Sequence, residues 1–263
     1  MFRKSVFVVI LLLATSTTVI AAEIVKFKGT DTTKEGTPLM LRGRLTKPQG
    51  KGPFPAIVML HGCGGVNTGR DTQWAERLAS WGYATLQVYS FRSRGMTSIC
   101  DDIPHMSFMI PRRVKDACDA KSYLSGLPFI DRKRIALMGW SHGGWTALSV
   151  IDQKRDDPFR SAVAFYPYCG QVSIKKGLSN FNAPLLILIG EKDDWTLANL
   201  CSIRKRSGQT GYEVILKIYP DAYHDFDSVG LDGYLLGHRL LYNPVATADA
   251  IIQVKEFLAK HLK

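Results

Sequence analysis

The chain has 263 residues, with 34 Lys and Arg against 23 Asp and Glu, giving a net charge of +11. At 46% hydrophobic and 22% charged residues, it excludes disordered and collagen-like chains and has the size of one large α/β domain. The basic residues are scattered over "RRVK", "DRKR", "IKK" and "IRKR" without interleaved aromatics, a pattern of solvated faces rather than of a nucleic-acid site. Charge alone would also fit an anionic substrate or a polyanion-binding surface.

The chain opens on "MFRK", an apolar run "SVFVVILLLATSTTVI" and small residues at Ala21 and Ala22, the pattern of a cleaved signal peptide over residues 1–22. The apolar run is broken at Thr15–Thr18 and is shorter than the roughly 20 residues that span a bilayer, so no stable membrane anchor is expected. The expected product is an exported, periplasmic or secreted chain, 23–263, folding as a single domain.

Short apolar runs bounded by turn residues predict strands at "EIVKFKG", "LMLRGRL", "AIVML", "ATLQV", "IALMG", "AVAFYP", "LLILIG" and "VILKIYP". Helical periodicity falls between them in "TQWAERLASWG", "RRVKDACDAKSYL", "GGWTALSVI" and "TLANLCSIRKR", and closes the chain in "ATADAIIQVKEFLAKHL". The central strands are almost continuously apolar, as a parallel sheet covered by helices on both faces requires. In such sheets ligands sit beyond the carboxyl ends of the strands, so chemistry is sought in the residues that follow each strand.

After "IALM" comes Gly139-Trp140-Ser141-His142-Gly143, a G-x-S-x-G sequence between a predicted strand and a predicted helix. The spacing suits a nucleophile held on a sharp turn, where glycines leave room for the backbone and a helix N-terminus faces the hydroxyl. The alternative is a plain tight turn. A serine needs a base, and His224 in "YPDAYHDFD" is the histidine that directly follows the last predicted strand. His61 and His142 belong to glycine turns, and His105, His238 and His261 lie elsewhere. An acid is expected after the preceding strand, where "IGEKDDWT" offers Glu191, Asp193 and Asp194; Asp193 is preferred and Asp194 is the alternative. The glycine loop "LHGCGGVN" brings backbone N–H groups to the same rim, so the N–H groups of Cys63 and His142 are the expected oxyanion donors. A reactive Cys63 thiol is the competing idea, with no base assigned to it.

These motifs, with the tail "LYNPVATADAIIQVKEFL", resemble the dienelactone hydrolase family of α/β-hydrolases along nearly all of the chain after the leader. The resemblance implies an eight-stranded, mostly parallel core without a large lid, and hydrolysis of a carboxylic ester or lactone by Ser141, Asp193 and His224. Two departures stand out: the family's nucleophile is cysteine, and its first glycine loop carries a glutamate that "LHGCGG" lacks. A serine esterase passing through an acyl-enzyme fits these residues better. By the same resemblance, Arg92 and Arg94 in "YSFRSRG" are candidates to hold a substrate carboxylate, the alternative being solvated loop arginines. Trp140, Trp145 and Trp195 adjoin the expected site and are candidates either to wall an apolar pocket or to pack in the core.

The odd count of five cysteines is read as pairs Cys169–Cys201 and Cys100–Cys118, with Cys63 free. No dinucleotide-binding turn, P-loop or CxxC pair calls for a cofactor or metal. The rival functions are a serine peptidase of the prolyl-oligopeptidase type and a non-catalytic exported binding protein on the same fold.

Overall fold

The structure, a computed structural model, describes residues 21–33, 35–170, 181–207 and 211–262. The expected leader lies outside the described residues except for Ala21 and Ala22, which open the first strand. The eight predicted strands all form: β1 (Ala21–Thr32), β2 (Pro38–Lys47), β3 (Phe54–Leu60), β4 (Ala84–Val88), β5 (Ile130–Trp140), β6 (Ala162–Phe165), β7 (Leu185–Gly190) and β8 (Val214–Tyr219). They build one sheet in the order β1-β2-β4-β3-β5-β6-β7-β8. The β1–β2 and β2–β4 pairs are antiparallel and the remaining pairs parallel, in register through Val58↔Leu137, Leu137↔Ala162 and Ala162↔Leu185.

Among the described residues, five α-helices accompany the sheet: α1 (Thr68–Ser80), α2 (Ile103–Ser125), α3 (His142–Ile151), α4 (Ala198–Ser207) and α5 (Pro244–His261). The β3–α1–β4 connection steps one way along the sheet and β4–α2–β5 steps the other. Right-handed crossovers therefore place α1 and α2 on opposite faces. Strands between two helical layers have no solvent face, and every residue of β4, β6 and β7 is buried. Helix starts follow local chemistry: the side chains of Asn67, Asp102 and Asn243 accept from the N–H groups of Arg70, His105 and Ala246, capping α1, α2 and α5.

Two features escape the sequence pattern. Helix α2 begins at Ile103 rather than near Arg112, because Pro111 inside it interrupts the helical signal. A hairpin of β9 (Asp232–Leu235) and β10 (His238–Leu241) follows β8. Its turn residues Leu236 and Gly237 take φ of 53° and 86°, a two-residue turn of positive φ that the dipeptide Leu-Gly advertises weakly. Leu240 of this hairpin bridges His224.

The cysteine pairing needs one correction. Cys169–Cys201 forms as expected, but Cys100 joins Cys63 across 37 residues and Cys118 is the free thiol. Cys118 lies well along α2, and 15 helical residues from Ile103 carry it about 22 Å from the helix start, out of reach of Cys100. Cys63 is thereby a disulfide partner, which removes it as a thiol nucleophile.

The turn from β5 into α3 is built on close backbone contact. A Cβ on Gly143 would stand 2.1 Å from the Leu60 carbonyl oxygen and 2.6 Å from that of His61; one on Gly139 would stand 2.2 Å from the Gly143 carbonyl oxygen. Both positions admit only glycine without moving β3 or α3. Gly143→Ala is expected to destabilise by about 2 kcal/mol or more, lowering Tm by about 4–8 °C in a thermal melt. Gly211→Ala, where a Cβ meets nothing within 4 Å, should leave Tm within about 1–2 °C of the parent.

Candidate active site

Between β5 and α3 the backbone turns through Ser141 at φ 53°, ψ −116°, a region that a residue with a side chain enters only under strain. The turn is held by Ser141 N–H donating to the Phe165 carbonyl (2.9 Å) and Trp145 N–H donating to the Ser141 carbonyl (2.8 Å). From β8, the loop brings His224 Nε2 to 2.9 Å from Ser141 Oγ. On its other side, His224 Nδ1 lies 2.8 Å from Asp193 Oδ2, just after β7. With Nδ1–H donating to the carboxylate, Nε2 is left as the acceptor for the serine hydroxyl. The predicted residues Ser141, Asp193 and His224 are thus brought into one chain of hydrogen bonds.

Asp193 is itself fixed. Its Oδ1 accepts from the backbone N–H groups of Trp195 (3.0 Å) and Thr196 (2.9 Å), and its Oδ2 accepts from the Thr196 hydroxyl (2.7 Å). Burial alone would raise its pKa, but the charge and hydrogen bond of His224, with the Thr196 bonds, overcome this and hold the carboxyl below its ordinary value. Asp194, the alternative acid, instead contacts His238 at 3.1 Å.

The two backbone segments expected to supply oxyanion donors converge on Ser141. His142 opens α3, so its N–H has no partner within the helix. Across from it, a Cβ on Gly62 would lie 3.6 Å from the Ser141 Cβ, which places the glycine loop against the serine. The disulfide to Cys100 and the bond from Ile99 N–H to the Cys63 carbonyl (3.0 Å) tie this loop down.

One residue that sequence reasoning missed links both segments. Arg113 of α2 is fully buried, and its Nη1 donates to His142 Nδ1 (2.6 Å) while Nη2 donates to the His61 carbonyl (2.6 Å). His142 Nε2 then carries the proton and donates to the Met106 carbonyl at 2.9 Å. Burial, reinforced by the Arg113 charge, pulls His142 down to about 3, and the same two causes hold His61 well below its ordinary value. Burial also lowers Arg113 to about 9, against the pull of Asp116. Nothing in "MIPRRVKD" distinguishes Arg113 from the exposed cations around it.

A second missed cluster lies against His224. Arg70 pairs with Asp71 and Asp225, and its Nη1 donates to the Tyr166 hydroxyl at 2.9 Å. That hydroxyl has one proton and two carboxylate neighbours, Asp225 and Asp227, each at 2.7 Å. The indoles of Trp74 (2.8 Å) and Trp140 (2.9 Å) both donate to Asp227. Two buried carboxylates, Asp71 and Asp227, and the partly buried Asp225 thus face one guanidinium. Burial raises Asp71 and Asp227, whereas Arg70 and His224 outweigh burial at Asp225 and lower it. The Tyr166 ring stands 4.6 Å from the imidazole of His224, centroid to centroid.

Of the candidate substrate contacts, the structure brings Trp195 and Trp145 to the site and places the others away from it. Trp195 and Trp145 line a cavity of about 290 Å³ that opens on Ser141. Trp140 is fully buried, bonded to Asp227 and stacked on Phe165, so it walls no pocket. Arg94 is spent internally: it holds Asp116 through two 2.8 Å bonds and Asp31 at 3.0 Å. Arg92 is exposed on the short helical turn Arg92–Arg94 and does not line the cavity. Among the described residues, no group of three or more His, Cys, Asp or Glu side chains is placed to hold a metal ion.

A mainly parallel eight-stranded sheet with these residues at its carboxyl rim defines an α/β-hydrolase. The chain belongs to the dienelactone hydrolase family, whose sequence model matches residues 41–262. It is similar to a Bradyrhizobium protein named a probable 2-oxo-3-(5-oxofuran-2-ylidene)propanoate lactonase, with 28% identity over 83% of this chain and 88% of the relative. The quorum-quenching protein AidA of Acinetobacter baumannii is 28% identical over 57% of this chain, and that match spans 47% of its length. Among solved structures, dienelactone hydrolase from Anabaena variabilis superposes with a TM-score of 0.67 at 20% identity, covering 93% of this chain and 99% of that one. Pyrococcus horikoshii acylaminoacyl peptidase gives 0.64 at 18% identity, covering 93% of this chain but 42% of that one.

The buried histidines set a pH dependence of stability. An unfolded histidine takes up its proton near pH 6.5, whereas folded His142 resists it until about pH 3. The unfolded state therefore binds more protons in that interval; stability is full above pH 6.5 and falls as the pH drops, by about 1.4 kcal/mol per pH unit for each such proton. His61 acts in the same direction. The raised carboxyls of Asp71 and Asp227 tilt the curve the other way, so the comparison with His142→Asn isolates the histidine. Urea midpoints measured between pH 7.5 and pH 4 should decline less steeply in that variant.

Proposed function

We propose that this chain is a serine hydrolase of carboxylic esters or lactones, with Ser141 as nucleophile, His224 as general base and acid, and Asp193 as the orienting carboxylate. The observation that carries the reading is the contact of 2.9 Å between His224 Nε2 and Ser141 Oγ on a strained turn, backed by Asp193.

In this reading Oγ bonds to the carbonyl carbon while its proton passes to His224 Nε2. Asp193 steadies the imidazolium and keeps Nδ1 protonated. The backbone N–H groups of Cys63 and His142 receive the negative oxygen, each worth about 3 kcal/mol in the transition state. The bond to the leaving oxygen then breaks as His224 returns the proton to it, and an acyl-enzyme remains. Water attacks that ester by the same route in reverse, releasing the acid and restoring Ser141. A lactone differs only in that the leaving hydroxyl stays tethered to the acyl group.

The strained Ser141 supports a catalytic rather than a merely binding role, since distortion of this kind persists where function uses it. A peptidase is the second reading, favoured by the likeness to acylaminoacyl peptidase. Turnover of p-nitrophenyl butanoate against chromogenic dipeptides separates the two. Export after cleavage near Ala22 belongs to the same proposal; the two disulfides are compatible with it, and no helix among the described residues is long and apolar enough to cross a membrane. N-terminal sequencing of the secreted chain tests the cleavage.

Ser141→Ala and His224→Ala are expected to lower kcat for p-nitrophenyl butanoate by roughly 10⁴–10⁶-fold, and Asp193→Asn by about 10⁴-fold. Far-UV circular dichroism should stay at the parent spectrum, and a fluorophosphonate probe should label the parent and not Ser141→Ala. Parent turnover that persists undiminished in Ser141→Ala would remove the proposal.

A further inference from the structure

Ser141 stands where two cavities meet. One, of about 290 Å³, is walled by Ile103, Met106, Trp145, Tyr168 and Trp195, together with His142. The other, of about 300 Å³, is lined by the glycine loop from Gly62 to Asn67, by Arg70, His224 and Asp225, and by Leu235 of the hairpin. Ser141, Cys63 and Trp195 border both.

The positions of the two histidines give the cavities different roles. Cleavage requires that the leaving oxygen be within reach of the proton on His224, and His224 lines the second cavity and not the first. His142, whose N–H faces the forming oxyanion in the reading above, lines the first. The acyl chain therefore extends among the aromatic walls, and the alcohol lies between the glycine loop and the hairpin.

Charge sharpens the assignment. Among the described residues, no Lys, Arg, Asp or Glu side chain lines the first cavity. The His142 ring has both nitrogens engaged, by Arg113 and by the Met106 carbonyl. His238 at the rim is stacked on Trp195 and already paired with Asp194. Arg94 is committed to Asp31 and Asp116, and Arg70 to Asp71 and Asp225. A carboxylate carried on the acyl chain would be desolvated here with no cation among the described residues to meet it. An aliphatic or aromatic chain would exchange water for indole and phenol faces.

We propose that the site takes esters and lactones of uncharged, apolar acyl groups, with the acyl chain in the aromatic cavity and the alcohol in the polar one. This rests on the serine-hydrolase reading and goes against the anionic substrates that the net charge invites.

The first series keeps the leaving group constant. Across p-nitrophenyl acetate, butanoate and hexanoate, kcat/KM should rise about threefold per added methylene. The p-nitrophenyl monoester of glutaric acid should fall about tenfold or more below the pentanoate of equal chain length. Ser107, exposed on α2 and lining the first cavity, provides the variants. Ser107→Trp should flatten the dependence on acyl length, and Ser107→Arg should raise the glutarate-to-pentanoate ratio about tenfold. Leu235→Trp should instead flatten the dependence on alcohol length in a series of butanoate esters. A glutarate monoester that matches or exceeds the pentanoate overturns the proposal while leaving the serine hydrolase intact. So does a crossed pattern, in which Ser107→Trp alters only the alcohol series. Absence of turnover for every ester, together with no fluorophosphonate labelling of Ser141, would remove both readings at once.

Discussion

Three backbone segments cross at one point in this protein: the end of β3 at Leu60 and His61, the end of β5 at Gly139, and the first turn of α3 at Gly143. The Cβ atoms that glycine lacks would fall 2.1–2.6 Å from carbonyl oxygens there. Because the strand and helix close to this distance, the chain between them is forced through φ 53° at Ser141. The same crossing sets the glycine loop after β3 against the serine. A looser contact would relax the turn and move the glycine loop away from the serine. Backbone strain and the approach of the loop thus have one cause, and it is a packing constraint rather than a property of the serine.

Stiffness around that crossing comes from different sources on its two sides. Toward α2, the buried guanidinium of Arg113 joins the His61 carbonyl to the His142 ring, and a covalent link holds Cys63 to the segment before α2. Toward the hairpin, Arg70, Tyr166 and three carboxylates form a charged lattice against His224. The first arrangement keeps its histidines neutral and fixed in one tautomer. The second concentrates negative charge near an imidazole that must become positive in the proposed chemistry. Both sit in a protein interior where unpaired charge is costly; Arg70 meets carboxylates, whereas Arg113 is bonded to two neutral acceptors, the His61 carbonyl and the His142 ring.

The strands were legible in the sequence because the central runs are apolar on both faces, a pattern few other structures produce. The serine turn was legible because its glycines are forced by sterics, and His224 and Asp193 because topology places functional residues after strands. What lay hidden had no local signature. Arg113 and Arg70 look like any solvated cation until helices α2 and α1 fold over the rim and bury them. The converse holds for Arg94, which follows β4, and Trp140, which ends β5: partners distant in sequence, Asp116 and Asp227, draw them inward. Cys100 pairs with Cys63 rather than with Cys118 because α2 carries Cys118 away and leaves the glycine loop beside Cys100. The hairpin was missed because Leu-Gly is a poor advertisement for its turn.

The meeting of Trp74 and Trp140 on Asp227 has a consequence outside catalysis. Both indoles are almost wholly shielded from solvent and share one acceptor oxygen, with the Arg70 guanidinium 5.1 Å from the centre of the Trp140 ring. Their emission therefore reports the electric field within the charged lattice more than the surrounding water. With the partly exposed Trp81, Trp145 and Trp195 replaced, the remaining pair would serve as an optical gauge of the electrostatics behind the imidazole, readable before any substrate is added.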